Sequence, residues 1–297
     1  MIFKATYKDR PCVKIESGKL CATFLYEDGA KLCSLKRKAD GRELMATKDG
    51  ETYKRLTYDG SYVDSECSAF DDMFPTIDPY TPTSGIYAGI EYPDHGECAR
   101  RPYDLALSDG SAVLSAHSLR FGVSYEKKIS ACEDGSIDMS YCFTNETDED
   151  FDFVWAGHIM LAGEDGISLT TPFGDSAPTE LIFSDGKELI SPMPRNTLTG
   201  FCEHGTAYKF YYTEPIKSNG FSVKYKDGSV LAFEYDKEKL PYFGVWLNNG
   251  EFQNSYTLTP EPCSVPFDAP HKALAKGYRS FIEPRGTFEF TLKINLI

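Results

Sequence analysis

Apolar and polar residues alternate in short segments along most of the chain. The clearest segments are residues 21–26, 112–116, 123–129, 137–144, 221–225, 230–235 and 287–294. This alternation puts every second side chain on the same face of an extended strand, so each segment predicts a half-buried β-strand. Asp28-Gly29, Asp134-Gly135 and Asn249-Gly250 are among the dipeptides between such segments, and they supply the positive φ angles of tight hairpin turns. The pattern is typical of consecutive antiparallel strands.

Helical signals are confined to one short segment. Residues 269–278 contain Pro270, which suits a first helical turn, and Gly277 near the expected C-terminal end. The spacing of turns is similar from end to end, and the sequence has no internal repeat and no linker rich in Pro or Ser. We therefore predict an all-β fold, a large antiparallel β sandwich with one or two short helices, formed by residues 1–297 as a single domain.

Composition narrows the possible classes of protein. The 297 residues are 14% aromatic, which provides enough apolar material for a core that needs no disulfide or metal. The net charge of −14 argues against a nucleic-acid partner, because affinity for phosphate backbones comes from Lys and Arg. Nine cysteines without a CxxC pair predict reduced thiols. No signal-peptide pattern and no long apolar run is present, so we expect a cytoplasmic protein without a membrane span.

The longest segment without alternation covers residues 61–101. Long loops in compact domains are often functional. This one contains His95, which stands between Pro93 and Gly96. We expect its imidazole to project from a sharp turn, where a ligand can reach it.

Two further ionisable residues have unusual sequence surroundings. His158 follows the apolar stretch 153–157, where an imidazole needs a ligand or a hydrogen-bond partner to offset its desolvation. A core histidine with a satisfied hydrogen bond explains the pattern equally well. Glu261 lies between Pro260 and Pro262, which hold the backbone extended and fix the direction of the carboxylate. Taken alone, this pattern also fits an exposed carboxylate in a turn.

Several motifs resemble, in the same order, those of aldose 1-epimerases of the galactose mutarotase superfamily, and together they span nearly the whole chain. Residues 29–35 and 41–45 resemble its N-terminal strand and turn. Pro93-Asp94-His95-Gly96 and Trp155-Ala156-Gly157-His158 are similar to the motifs of its two catalytic histidines. Residues 240–248, 260–263 and 283–286 resemble its C-terminal motifs.

The resemblance implies a large β sandwich and a reaction that interconverts the α and β anomers of an aldohexose, such as galactose or glucose, by opening and reclosing the ring. It implies no cofactor and no metal. By resemblance, Glu261 takes the proton from the anomeric hydroxyl, His158 gives one to the ring oxygen, and His95 holds and polarises the substrate. These residue types suit the reaction, because opening a hemiacetal needs a base and an acid, and histidine titrates near neutral pH.

Five other residues are candidates for contacts with the sugar. Trp155 and Trp246 can stack on the apolar face of a pyranose, although core packing is the more common role of such residues. Asp71 and Asp72 stand where the Asn-Arg element of many galactose mutarotases is missing, and they can bind hydroxyls or be exposed loop acids. Arg100 can bind the phosphate of a phosphorylated hexose if its loop folds inward, or form a surface pair with Arg101.

The sequence alone leaves alternatives open. The substrate can be a phosphorylated rather than a neutral hexose. A sugar-binding or sensing domain can share the fold without turnover, and the family aspartate that is missing near residues 209–213 keeps this option open. His95, His158 and Glu261 can also form a metal site if they converge, although no HxH or HxxxH spacing supports one. The sequence is compatible with a monomer or a homodimer.

Overall fold

The protein was analysed as a computed structural model, which describes residues 1–173, 177–184 and 204–297 and the backbone of residues 197–199. Within these residues the strands form an eleven-stranded sheet, a nine-stranded sheet and a two-stranded ribbon. The paired strands run antiparallel in all three. One hydrophobic core contains side chains from both large sheets, so the predicted all-β sandwich is confirmed.

The strands are Ile2–Tyr7 (β1), Arg10–Ser17 (β2), Leu20–Leu25 (β3), Lys31–Arg37 (β4), Phe70–Met73 (β5), Asp104–Ser108 (β6), Ser111–His117 (β7), Val123–Ala131 (β8), Ile137–Asn145 (β9), Phe151–Asp152 (β10), Ala156–Ile159 (β11), Leu161–Ala162 (β12), Ser168–Thr170 (β13), Thr179–Ser184 (β14), Thr197–Thr199 (β15), Thr206–Tyr212 (β16), Gly220–Lys224 (β17), Val230–Tyr235 (β18), Tyr242–Asn249 (β19), Tyr256–Cys263 (β20), Phe281–Ile282 (β21) and Thr287–Leu296 (β22). The larger sheet has the order β1-β2-β3-β4-β5-β11-β20-β19-β16-β14, with β12 also paired to β20. The smaller sheet has the order β15-β13-β17-β18-β22-β9-β8-β7-β6.

The strands predicted from alternation are all present, most of them within a residue or two of their expected ends. Buried residues alternate with partly or fully exposed ones along the first eight positions of β8 and all nine of β9, as a strand with one face on the core requires. The predicted helix is also confirmed, but it is shorter and covers Pro270–Ala275 (α1), with Pro270 in its first turn. Gly277 follows its end with a φ of +89°, the left-handed conformation that commonly ends a helix. Two short 3₁₀ turns, Tyr62–Asp64 and Cys98–Arg100, lie in the long loop.

The central strands of the larger sheet are buried on both faces. Residues at alternate positions, such as Phe70, Ile159 and Phe210, pack into the core between the sheets. Other residues of these strands, including Met73 and Ala156, face the opposite side of the sheet and belong to a second, smaller hydrophobic cluster. The second face is covered by the loop 61–101 and the segment around α1, since Tyr62, Ile77 and Phe267 lie in the same cluster. This covered outer face is where the candidate site forms.

An ion pair lies inside the core between the two sheets. Lys127 on β8 contacts Asp72 on β5 at 2.8 Å, and both side chains are almost fully buried. The ammonium group also lies 5.0 to 5.4 Å from the ring centres of Phe24, Phe70 and Tyr141. Burial raises the pKa of Asp72, and Lys127 opposes that shift. Each of the two charged groups therefore needs the other as a counter-charge in the core.

Among the described residues, no helix has the length and apolar character needed to cross a membrane.

The buried ion pair leads to a stability prediction. Replacing Lys127 by Met leaves the Asp72 carboxylate without a counter-charge in the core, and we expect the free energy of unfolding to fall by about 3–5 kcal/mol. Urea denaturation measures this change. The matched control is Lys293→Met, which removes an exposed partner of Asp134 and should change stability little. Equal losses of unfolding free energy in the two variants would contradict a special contribution of the buried ion pair to stability.

Candidate functional site

A cavity of about 310 Å³ opens on the outer face of the larger sheet. Its exposed side is formed by Val63, Phe183 and Trp246, and its buried side by ionisable residues. Those ionisable residues are His95, His158, Lys209 and Asp268. A concave, mostly apolar pocket with a few convergent polar groups is the usual form of a small-molecule site.

Strand register brings four of the side chains to one place. His158 lies on β11, which pairs with β20, the strand that carries Glu261. Glu261 is opposite Gly244 on β19, and Trp246 of β19 is opposite Lys209 on β16. Because side chains two residues apart point to the same face of a strand, these adjacent strands present their polar residues together.

The loop 61–101 supplies His95. The residue occupies a turn with a φ of +58°, so its expected position in a sharp turn is confirmed. Its Nδ1 atom lies 2.7 Å from Oδ1 of Asp94, and the other oxygen of Asp94 accepts a hydrogen bond from the backbone N–H of Tyr62. The ring of Tyr62 stacks on the imidazole with 4.1 Å between the ring centres. These contacts fix both the position and the plane of His95.

Three ionisable groups lie in a row at the buried side of the cavity. Lys209 Nζ is 2.8 Å from Oε2 of Glu261 and 2.9 Å from Oδ1 of Asp268. The hydroxyl of Tyr211 donates a hydrogen bond of 2.7 Å to the same Asp268 oxygen. Burial alone would lower the pKa of Lys209, but the two carboxylates outweigh it and the pKa is raised. Lys209 therefore stays protonated at neutral pH and is shared by both acids.

Glu261 and His158 face each other at the inner end of the cavity. His158 Nε2 lies 3.6 Å from Oε1 of Glu261, and the glutamate side chain is fully buried. Burial raises the pKa of Glu261 although Lys209 opposes the shift. Burial, together with His95, Lys209 and Lys31, holds the pKa of His158 well below its ordinary value. Burial thus opposes the charged form of both groups.

Gly244 leaves the space that Glu261 occupies. A Cβ atom at this position would lie 2.7 Å from the ring of Tyr211 and 3.3 Å from Oε2 of Glu261. The first distance is shorter than packed atoms allow, so a larger residue would displace one of these side chains. Gly244 is therefore required by the packing around Glu261 and not by the conformation of a turn.

Asp71 lies under the loop, next to the cavity. Its Oδ2 atom accepts hydrogen bonds from Lys31 at 2.9 Å and from the hydroxyl of Tyr62 at 2.7 Å. The three side chains are almost fully buried. Asp71 is thus neither an exposed loop acid nor a residue of the cavity wall; it anchors Tyr62, which in turn packs against His95.

Two of the predicted substrate contacts are corrected by the structure. Asp72 follows Asp71 in β5 and therefore points to the opposite face, into the core, where it pairs with Lys127. Trp155 is also fully buried in the core, where its ring packs on Tyr141 and Phe290. Neither residue borders the cavity, so neither can contact a ligand there. Trp246, by contrast, lines the cavity and packs on Phe183 and Phe252.

The third correction concerns Arg100. Its guanidinium is buried and donates hydrogen bonds to backbone carbonyls of residues 57, 58, 60, 94 and 96. The loop does fold inward, as a phosphate site would require, but the charged group is used to hold two stretches of the loop together. It does not border the cavity.

Sequence reasoning missed Lys209, Asp268 and Tyr62. Lys209 stands alone in the otherwise apolar and aromatic stretch 206–212, and this isolated charge was a usable signal, because a buried lysine needs a partner. Asp268 and Tyr62 lie in irregular segments, and nothing in their local sequence distinguishes them from surface residues. Thr257 and Thr259, on the same strand as Glu261, were missed as well; their hydroxyls are buried and without hydrogen-bond partners among the described residues.

Among the residues that the structure describes, no group of three or more His, Cys, Asp and Glu side chains is arranged to hold a metal ion.

Comparison with solved structures identifies the fold. The Slr1438 protein of Synechocystis sp. PCC 6803 matches with a TM-score of 0.69 and 14% identity over 99% of both chains. A galactose mutarotase-like protein of Lactobacillus casei matches with a TM-score of 0.65 and 18% identity, over 96% of this chain and 100% of the other. One from Clostridium acetobutylicum gives a TM-score of 0.66 and 12% identity over 100% and 98%.

The chain has the galactose mutarotase-like fold. The resemblance seen in the sequence is thereby confirmed at the level of the fold. No protein-family model and no curated protein matches the sequence. At identities this low the comparisons show the fold alone, so function has to be argued from the site.

The positions of the two tryptophans can be tested by fluorescence quenching. Trp246 is partly exposed at the cavity and Trp155 is fully buried, and the chain has no other tryptophan. We expect Trp246→Phe to remove most of the quenching by acrylamide, because the quencher must reach the ring. Trp155→Phe is the matched control and should keep it. Undiminished quenching in the Trp246→Phe protein would place the exposed tryptophan elsewhere.

Proposed function

We propose that the protein is an aldose 1-epimerase, which interconverts the α and β anomers of a neutral aldohexose such as glucose or galactose. The observation that supports this most is the convergence of His95, His158 and Glu261. They come from a loop and two strands that are far apart in sequence. His95 and His158 line one cavity, and the buried Glu261 lies directly behind His158, with Oε1 3.6 Å from its Nε2 atom. A fold shared with galactose mutarotase-like proteins is consistent with the same role.

The reaction needs two proton transfers and no other chemistry. Glu261 removes the proton from the anomeric hydroxyl while His158 protonates the ring oxygen, so the bond between C1 and the ring oxygen breaks and an open-chain aldehyde forms. Rotation about the C1–C2 bond then presents the other face of the carbonyl. Reclosure returns both protons, with Glu261 as the acid and His158 as the base. His95, held by Asp94 and Tyr62, orients the sugar.

The productive protonation state has an ionised Glu261 and a protonated His158. These opposite charges face each other across 3.6 Å and stabilise each other. Burial opposes both charges, as the raised pKa of Glu261 and the lowered pKa of His158 show. A bound sugar supplies hydroxyl groups to the two side chains and so replaces part of their lost hydration.

Other groups at the site suit a ligand rich in hydroxyls. Thr257 and Thr259 carry buried hydroxyls without partners among the described residues, and buried polar atoms are normally hydrogen-bonded. Trp246 can cover the apolar face of a pyranose at the exposed side of the cavity. Glu261 itself is fully buried against the cavity residues His158 and Lys209, so a substrate hydroxyl must reach between these two side chains to contact it.

The charges around the cavity favour a neutral sugar over a phosphorylated one. Lys209 is the one cationic side chain on the described cavity wall, and it is already paired with two carboxylates. Asp78, also on the wall, is a carboxylate paired with Lys272 and offers no positive charge to a phosphate. Arg100, the candidate phosphate ligand, is bonded to backbone carbonyls.

The first prediction concerns the proposed base. Glu261→Gln removes the acceptor for the anomeric proton, and we expect the rate of anomerisation to fall by about a hundredfold or more. Polarimetry of freshly dissolved α-D-glucose and α-D-galactose measures this rate. Glu289→Gln, an exposed glutamate on β22, is the matched control and should keep the wild-type rate. Full activity in the Glu261→Gln protein would exclude Glu261 as the base.

A second candidate function is sugar binding without turnover. The complete burial of Glu261 behind His158 and Lys209 favours it, because a base has to touch its substrate. Calorimetry and polarimetry on the wild-type protein separate the two functions. Affinity for an aldose with no acceleration of anomerisation would select the binding module, whereas acceleration would select the enzyme.

The charge distribution gives a prediction about specificity. We expect glucose 6-phosphate to be anomerised at least about tenfold less efficiently than glucose, since a tenfold loss needs only about 1.4 kcal/mol of unfavourable interaction. The ratio of the two kcat/KM values measures the preference. Equal or better use of the phosphorylated sugar would contradict a site without a free cation.

A further inference from the structure

We propose that Lys209 and Asp268 are positioning residues that set the charge and direction of Glu261. This inference rests on the proposed function for its meaning in catalysis, but its physical content concerns the free protein alone. Neither residue was a candidate in the sequence. Both are brought to the site by the fold, one from the middle of β16 and the other from the segment before α1.

The geometry assigns a distinct contact to each oxygen of Glu261. Oε2 contacts the ammonium group of Lys209 at 2.8 Å, and Oε1 faces Nε2 of His158 at 3.6 Å. A carboxylate held in this way cannot rotate without losing the lysine contact. Lys209 therefore directs the second oxygen toward His158 and the buried end of the cavity.

Asp268 competes with Glu261 for the same lysine. Its Oδ1 atom lies 2.9 Å from Nζ, almost the same distance as Oε2 of Glu261, and the hydroxyl of Tyr211 holds it there. Two buried carboxylates thus share one buried ammonium group. The charge of Lys209 is divided between them, and Glu261 receives less stabilisation than it would from a lysine of its own.

The groups that face Glu261 can be named from each neighbouring element. They are Lys209 and Tyr211 on β16, His158 on β11 and His95 on the loop, with Asp268 beyond Lys209 and Cys263 two residues along β20. Burial is the largest influence and raises the pKa of Glu261; Lys209 and His95 act to lower it and Asp268 to raise it. Removing Lys209 and removing Asp268 must therefore move this pKa in opposite directions.

A purely structural role would not explain this arrangement. Replacing a buried ion pair by apolar residues of similar size is often neutral or stabilising, so stability gives no reason for a lysine here. The alternate residues Tyr208 and Phe210 already anchor β16 in the core. What the lysine adds at this position is a counter-charge for a carboxylate that the proposed reaction needs in its ionised form.

The test measures the titration of Glu261 directly. In protein labelled with ¹³C-glutamate, the signal of its side-chain carboxyl is assigned by its disappearance in Glu261→Gln, and its pKa is read in the absence of any sugar. We expect Lys209→Met to raise this pKa by about one pH unit or more, and Asp268→Asn to lower it by about half a unit or more. Lys209→Arg, which keeps the charge, should stay close to wild type.

The same variants are then followed by polarimetry across pH. Because anomerisation requires ionised Glu261, rate falls as pH drops through its pKa. The acid limb of kcat/KM should therefore move to higher pH in Lys209→Met and to lower pH in Asp268→Asn. If Lys209→Met does not fold, Asp268→Asn still decides the question, since it leaves Lys209 and Glu261 as a neutral pair.

The positioning role of Lys209 and Asp268 and the proposed reaction can be rejected independently. An unchanged carboxyl pKa in Asp268→Asn, or a shift in the same direction in both variants, would overturn the role of Lys209 and Asp268 whatever the activity of the protein. Opposite shifts in the carboxyl titration, in a wild-type protein that does not accelerate anomerisation, would support this role while rejecting the proposed reaction.

Discussion

The two-residue period of the central strands is the constraint on which the rest of the structure depends. In β5, β11, β16 and β20, one set of side chains fills the core between the sheets and the other faces the covered outer surface. The core set is almost entirely apolar, whereas the outer set contains the ionisable groups of the site. Asp71 and Asp72 show how strict the separation is, because adjacent residues of one strand belong to two unrelated ion pairs.

The outer face concentrates charge in a place where water is scarce. Glu261 and Asp268 place two carboxyl groups around the one ammonium group of Lys209 at the buried end of the cavity, and burial and nearby cations lower the pKa of His158 beside them. Such an arrangement does little for stability. It does provide side chains whose protonation responds strongly to what enters the cavity, which is a common property of sites that move protons.

The sequence predicted the fold well because the fold rests on local patterns. Alternation and turn dipeptides identify strands such as Val230–Tyr235 without knowledge of their partners. The site was predicted only in part. Histidines and a glutamate between prolines stand out locally, but the role of Lys209 depends on strand register, and the fates of Asp72, Trp155 and Arg100 depend on which face or loop they join. These contacts arise from pairing between segments that are far apart in sequence, so the residues next to each position do not indicate them.

Arg100 has a consequence for how the loop can change. One planar guanidinium donates hydrogen bonds to the carbonyls of residues 57, 58 and 60 and to those of residues 94 and 96. A lysine in its place would have a single ammonium group and no fork to reach both sides. Residues 57–60, which directly precede the cavity residues Tyr62 and Val63, are therefore tied to the stretch that carries His95. Grafting either stretch alone from another protein of this fold should fail, and a transplanted loop would need to bring both stretches and the arginine together.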